Sequence, residues 1–178
     1  MKPIRAWAAE AAHQALKRFD FDPGPLLPTD VEIAVEYCGL CHSDLSVVRD
    51  EWGVSSFPLV PGHEAIGRIV ALGDQALGLK LGQRVGLGWT AASCMHCRLC
   101  LGGDQHLCGQ ALPTMLGGHH GAFADRVRGH WAWAIPLPEG LDPASAGPLL
   151  CGGVTVFSPR HTFGIRPADR VGVVGIGG

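Results

Sequence analysis

No stretch of this sequence approaches the roughly 18 consecutive apolar residues that a membrane-spanning helix needs. The N-terminus, MKPIRAWAAEAAHQ, is charged and lacks an apolar core of leader length. Both absences set the expectation of a cytoplasmic protein. An excess of one charge is also missing: 14 Lys and Arg against 16 Asp and Glu give a formal net charge of -2. That leaves neither a basic stripe for nucleic acid nor a polybasic segment for anionic lipid. Internal repeats and low-complexity linkers are absent too. What remains is a chain of 178 residues, 47% hydrophobic, long enough for one good-sized domain with a real core.

Glycine and proline are plentiful, 26 and 13, and punctuate short apolar runs, which predicts many short strands joined by tight turns. VEIAVEY alternates Val31, Ile33 and Val35 against Glu32 and Glu36, the period-two pattern of a half-buried strand. AIGRIVALG and QRVGLGW read as further strands, and WAWAIPLP puts Trp131, Trp133 and Ile135 on one face. The first ~130 residues are expected to form an antiparallel β body. Beyond them Asp142 caps a predicted helix with Pro143 at its first position, and the run to Pro159 continues it with Cys151 inside. ADRVGVVGIGG, residues 168–178, reads as a buried parallel strand entering a glycine turn.

Seven cysteines in a chain expected to be intracellular point to metal or catalysis more than to disulfides. Cys94, Cys97, Cys100 and Cys108 have the spacing C-x2-C-x2-C-x7-C, which suits the closed four-thiolate shell of a structural Zn²⁺. An iron–sulfur cluster is the rival, since C-x2-C-x2-C also opens ferredoxin-type sites. There the fourth cysteine follows after three residues and precedes proline, whereas Cys108 follows after seven and precedes Gly109, which favours zinc. His96 and His106 inside this loop read as solvated, and Cys38 as a small packed residue. Cys41 in CHSD, His63 in PGHE and Cys151 together supply a Cys2His shell, the three-ligand set that leaves a fourth position for water or substrate. Taken singly each is a weak signal, and spacing alone does not establish that they converge.

GLCHSDL, FPLVPGHEAIGRIVALG, the four-cysteine lobe, PLLCGGVTVFSP and VGVVGIGG occur in one order along the chain. In that order they resemble the zinc-dependent alcohol dehydrogenases of the medium-chain family, and most of all the cinnamyl-alcohol-dehydrogenase branch. The resemblance covers nearly the whole chain. It implies a mixed β/α fold: a GroES-like antiparallel β catalytic domain over residues 1–141, with a zinc lobe at 94–108, then the first helix and strand of a Rossmann domain over 142–178. It further implies two zinc ions, one catalytic on Cys41, His63 and Cys151 and one structural on Cys94, Cys97, Cys100 and Cys108. Glu64 falls on an acidic residue beside the catalytic metal, Asp44 on the carboxylate that orients the ligating histidine, and Ser43 on the hydroxyl that accepts the alcohol proton. His42 and Thr155 fall on cofactor contacts and Trp52 on the wall of the substrate pocket. Ser46 departs from the pattern, standing where many relatives carry a histidine that passes the proton onward.

The implied reaction is reversible hydride transfer between a primary alcohol and NADP(H), with NAD(H) the alternative and a small alcohol or aldehyde as the partner. Full-length relatives are expected to be homodimers. A zinc-stabilised non-catalytic module and a polyol dehydrogenase of the same family are the competing readings. Gly175, Gly177 and Gly178 form the first half of a dinucleotide-binding fingerprint. On that reading the 178 residues are expected to be an N-terminal fragment, inactive in hydride transfer by itself.

Overall fold

The computed structural model describes residues 2–175. A five-stranded antiparallel sheet organises the molecule, in spatial order β8-β3-β4-β5-β9. Its strands are β3 (Asp30–Cys38), β4 (Ala65–Leu72), β5 (Arg84–Leu87), β8 (Arg126–His130) and β9 (Ile135–Pro136). A hairpin of β1 (Ile4–Ala8) and β2 (Lys17–Phe21) lies alongside, joined by an isolated bridge between Ala6 and Ala124. A second small ladder, β6 (Thr90–Ala92) with β7 (Leu112–Pro113), closes the base of the four-cysteine lobe.

Alternation along β3 behaves as expected for Val31 and Ile33, both fully buried among Ala65, Ile69, Val85, Leu87 and Val127. Each such aliphatic side chain contributes about 1.5–3 kcal/mol when taken out of water. Glu32 departs from the expected outward position: it is only 6% exposed. It stands opposite Arg128 in the β3–β8 ladder, and its carboxylate is covered by Arg126 Nη1 and by both Arg128 Nε and Nη2, each at 2.8 Å. A buried carboxylate without those cations would be strongly unfavourable.

Three sequence expectations need correction. Trp131–Trp133 is a 3-10 turn capped by the His130 ring, not a strand, and it is Ala134 that points into the core while Ile135 stays half exposed. Asp142 does cap α3 (Pro143–Ala146), accepting from Ala144 N at 3.2 Å. The helix is not continuous, however: a 3-10 turn over Gly147–Leu150 leads to Cys151 at φ -128, ψ -87, and α4 (Gly152–Thr162) begins after it. Pro148 and the pair Gly152–Gly153 make that break inexpensive, so Cys151 sits at a corner rather than inside a helix. Finally, residues 168–175 form no strand. Val171, Val173 and Val174 are exposed, because no neighbouring strand pairs with them among the described residues.

Candidate functional site

Short helix α1 (His42–Val48) begins where β3 ends, and Cys41 is its N-cap residue. Asp44, at the third helical position, reaches back so that Oδ2 accepts from Cys41 N at 2.9 Å. Its other oxygen, Oδ1, accepts from Gly62 N at 2.9 Å and from His63 Nδ1 at 3.0 Å. One buried carboxylate thus ties the start of α1 to the loop before β4. Gly62 holds φ +103, a conformation that favours glycine. With Nδ1–H given to Asp44, the His63 ring turns Nε2 toward the thiols.

Three donors meet there. His63 Nε2 lies 3.3 Å from Cys151 Sγ, and Cys41 Sγ lies 3.7 Å from Cys151 Sγ. With Zn–S near 2.3 Å and Zn–N near 2.0 Å, a tetrahedral shell puts two sulfurs about 3.8 Å apart. Glu64 joins the group: one ligand atom each from Cys41, His63, Glu64 and Cys151 all lie within 4.8 Å of one another. Oε2 of Glu64 is buried with no hydrogen-bond partner among the described residues. A Cβ on Gly39 would overlap that oxygen, so the missing side chain at Gly39 makes room for the carboxylate. Soft thiolates, an oriented imidazole and an orphaned buried oxygen fit a divalent ion of the zinc type.

Electrostatics agree with the geometry. Burial works against ionisation of the Cys41 thiol, but the Ser43 N–H and hydroxyl, with Cys151 and His63, outweigh it and lower the pKa. Burial pushes the Cys151 thiol up to about 12 in company with Cys41. Two thiolates this close repel one another unless a cation lies between them. Burial also opposes a charged His63, yet Asp44 raises its pKa overall, and burial raises that of Glu64.

The second cluster lies in the loop that carries α2 (Arg98–Leu101). Cys94 Sγ is 3.8 Å from Cys100 Sγ and 3.6 Å from Cys108 Sγ, and Cys97 Sγ is 3.9 Å from Cys108 Sγ. Backbone N–H groups of Cys97, Cys100 and Gln110 point at Cys94, Cys97 and Cys108 sulfurs, at 3.4, 3.5 and 3.3 Å. Such bonds favour the thiolate, and the pKa values of Cys94 and Cys97 are lowered, chiefly by the N–H groups of His96 and Cys100. Burial drives Cys100 the other way, up to about 11.

Other expected site residues scatter around the first cluster. Ser43 donates to Cys41, and Trp52 stands at the rim, 47% exposed. His42 is exposed at the start of α1, and Thr155 is exposed on α4, its N–H bonded to Cys151 O at 3.0 Å. Gly175 adopts φ +70 in open space, while Gly177 and Gly178 lie outside the described residues. Cys38 packs as expected, and burial pushes its thiol up to about 12. A cavity of about 810 Å³ beside β1 and the end of β3 contains none of the candidate ligands.

Sequence reasoning missed Trp89. Its ring meets the His63 imidazole edge-on, centroids 5.1 Å apart and planes at 83°, and touches Trp52 with centroids 6.1 Å apart. An apolar wall therefore backs the imidazole and continues to the rim. Its position two residues after β5, just before the four-cysteine loop, was the available signal.

Residues 27–139 match the family described as the alcohol dehydrogenase GroES-like domain. Over 175 residues the chain is 50% identical to an aldehyde reductase of Synechocystis sp., covering 98% of this chain and 52% of that protein. It is 39% identical over 169 residues to NADP-dependent alcohol dehydrogenase 6 of Saccharomyces cerevisiae, covering 91% and 47%. Among solved structures, a cinnamyl alcohol dehydrogenase of Sorghum bicolor matches with a TM-score of 0.89 and 33% identity, over 94% of this chain and 50% of that one. The chain spans about half the length of the relatives it matches. With its sheet, its two donor clusters and more than half of its residues in that match, the chain belongs to the medium-chain alcohol dehydrogenases and carries their GroES-like domain.

Proposed function

We propose that this chain forms the metal- and substrate-binding part of a zinc-dependent alcohol dehydrogenase or aldehyde reductase, which interconverts a primary alcohol and its aldehyde with NADP(H). The gathering of Cys41, His63 and Cys151 donors around one point, with Glu64 at its edge, carries the reading. Residues 1–141 are read as the catalytic domain and 142–178 as the start of the nucleotide domain. The kinship with an aldehyde reductase and with an NADP-dependent alcohol dehydrogenase supports the substrate class and the cofactor. The resemblance adds a homodimeric, cytoplasmic enzyme.

Cys41, His63 and Cys151 would hold the catalytic ion, and Cys94, Cys97, Cys100 and Cys108 a structural one. Bound there, Zn²⁺ supplies Lewis acidity toward an alcohol or carbonyl oxygen. The chain's own residues do the rest. Asp44 fixes the tautomer and aim of His63. Trp89 and Trp52 exclude water from one side and give an apolar surface for the substrate's carbon skeleton. Ser43, adjacent to Cys41, accepts the proton of the alcohol. Glu64, whose Oε2 is buried without a hydrogen-bond partner among the described residues, would stand ready beside the ion as a further oxygen donor. His42, Thr155, Gly175, Gly177 and Gly178 are assigned to the cofactor.

In the full protein that carries this chain, His63→Ala is expected to lower bound zinc from two ions to one and to abolish NADPH-dependent aldehyde reduction. Undiminished turnover with one zinc would overturn the assignment. A brown chromophore in the lobe would overturn its structural zinc.

A further inference from the structure

We propose that Thr114 is a positioning residue for the first donor cluster: it fixes the Gly88–Trp89 corner, and through the Trp89 ring it sets the imidazole of His63 and the apolar wall on which the substrate lies. The substrate half of this inference rests on the reading above; the placing of Trp89 against His63 does not.

The chain leaves the five-stranded sheet at Leu87, the last residue of β5, and joins the second ladder at Thr90, where β6 begins. Gly88 and Trp89 lie between, outside both ladders, so neither carbonyl is paired by a strand. Thr114 takes that place. Its hydroxyl donates to Gly88 O at 2.6 Å, and its N–H donates to Trp89 O at 2.8 Å. Its own carbonyl accepts from His119 Nδ1 at 2.6 Å. The residue is fully buried, where a polar group left without a partner is costly. Threonine hydroxyls commonly bond to backbone a few residues away; this one reaches 26 residues back.

The corner so held faces two of the proposed ligands. On one side the Trp89 ring meets the His63 imidazole, centroids 5.1 Å apart, and continues to Trp52 with centroids 6.1 Å apart. On the other, a Cβ on Gly88 would stand 2.9 Å from Leu150 O, one residue before Cys151. A single bond to Asp44 aims His63 Nε2 but does not by itself fix the ring plane, and Trp89, standing at 83° to that plane, does. Met115 and Leu116, next after Thr114, belong to the core cluster against which Trp89 packs. Thr114 also directly follows β7, so the segment that closes the four-cysteine lobe ends on the residue that fixes the corner.

Thr114→Val keeps the side chain's shape and the N–H bond but removes the hydroxyl, Thr114→Ser keeps the hydroxyl, and Thr114→Cys leaves a weaker donor. In the full protein that carries this chain, with NADPH saturating, Thr114→Val is expected to raise KM for benzaldehyde about tenfold and KM for acetaldehyde, too small to span the wall, less than about twofold. Zinc content stays unchanged and kcat within about twofold, because wall contact is lost equally from bound substrate and transition state. Thr114→Ser returns KM to the wild-type value, with Thr114→Cys between the two. In the Trp89→Leu background the effect of Thr114→Val on KM disappears, since two changes that act through one ring do not add. The His63 ring-proton resonance of the zinc-loaded protein moves in Thr114→Val in the direction it takes in Trp89→Leu. A lowered melting temperature with wild-type KM values and an unmoved resonance marks a merely structural threonine and overturns the proposal, as does a KM effect that survives in Trp89→Leu. If the wild-type protein reduces neither aldehyde, the reading of the site falls, and the His63 resonance alone then decides whether Thr114 sets Trp89.

Discussion

Asp44 carries the heaviest duty of any single residue in the molecule. Two carboxylate oxygens accept from three donors, Cys41 N, Gly62 N and His63 Nδ1, and thereby hold two of the proposed ligands at their spacing. Asparagine in its place retains one acceptor oxygen and adds two N–H donors facing groups that also donate. Asp44→Asn is expected to weaken zinc binding at the Cys41, His63 and Cys151 site by about 10- to 100-fold, leaving the four-cysteine lobe filled. Competition with a chromophoric chelator measures both constants on the chain itself, and equal affinities in variant and wild type contradict the role. Residues of this kind were legible in the sequence to differing degrees. Cys41, His63, Cys151 and the lobe cysteines announce themselves by chemistry, since few other uses gather thiols and imidazole in such motifs. Trp89 and Gly39 stayed hidden. Their meaning lies in contacts across the fold, such as the room Gly39 leaves for Glu64, and ordinary residue types give no sign of it.

At the scale of elements, β3 is the organising strand, and its acidic residues tie it to its neighbours. Glu36 accepts from Arg68 Nε on β4 and Arg84 Nε on β5, each at 2.9 Å, and its pKa is lowered, foremost by the Arg84 bond. A carboxylate with a depressed folded pKa binds fewer protons than the unfolded chain between the two values. Its contribution is therefore complete above the unfolded pKa, about 4.3 for glutamate, and disappears as pH falls through the folded one. Because the group is partly solvated, about 0.2–1 kcal/mol is involved. Glu36→Gln is expected to melt below wild type at pH 6, with the difference closing toward pH 3; an unchanging difference across that range speaks against the ion pairs. Element types were readable where period-two patterning was strong, as in β3 and β4. Glu32 was misplaced because its partners, Arg126 and Arg128, lie 94 and 96 residues onward, beyond any local pattern. The helix around Cys151 was read as continuous because capping at Asp142 is local, while the break serves a ligand geometry that is not.

For the molecule as a whole, stability is divided unevenly. Residues up to about 141 enclose the buried core clusters, whereas α4 has no buried residue and leaves Val154, Val156 and Phe157 exposed, followed by exposed Phe163, Val171, Val173 and Val174. Segments with few buried apolar contacts open at low free energy. Trypsin is therefore expected to cut at Arg160 and Arg170 well before Arg68 or Arg84, which lie in paired strands. Cys151 joins the two regions, since its thiol meets Cys41 and His63 while its backbone opens α4. Metal that binds only the folded arrangement stabilises it by mass action, and that stabilisation reaches no further than the ligand's own turn. Filling the Cys41, His63 and Cys151 site should thus protect the amides of Cys151–Gly153 from hydrogen exchange while leaving cleavage at Arg160 onward at its metal-free rate. Mass spectrometry of both processes on one sample decides it: protection extending through α4 would show the helix docked on the β body, and none at Cys151–Gly153 would detach Cys151 from the metal.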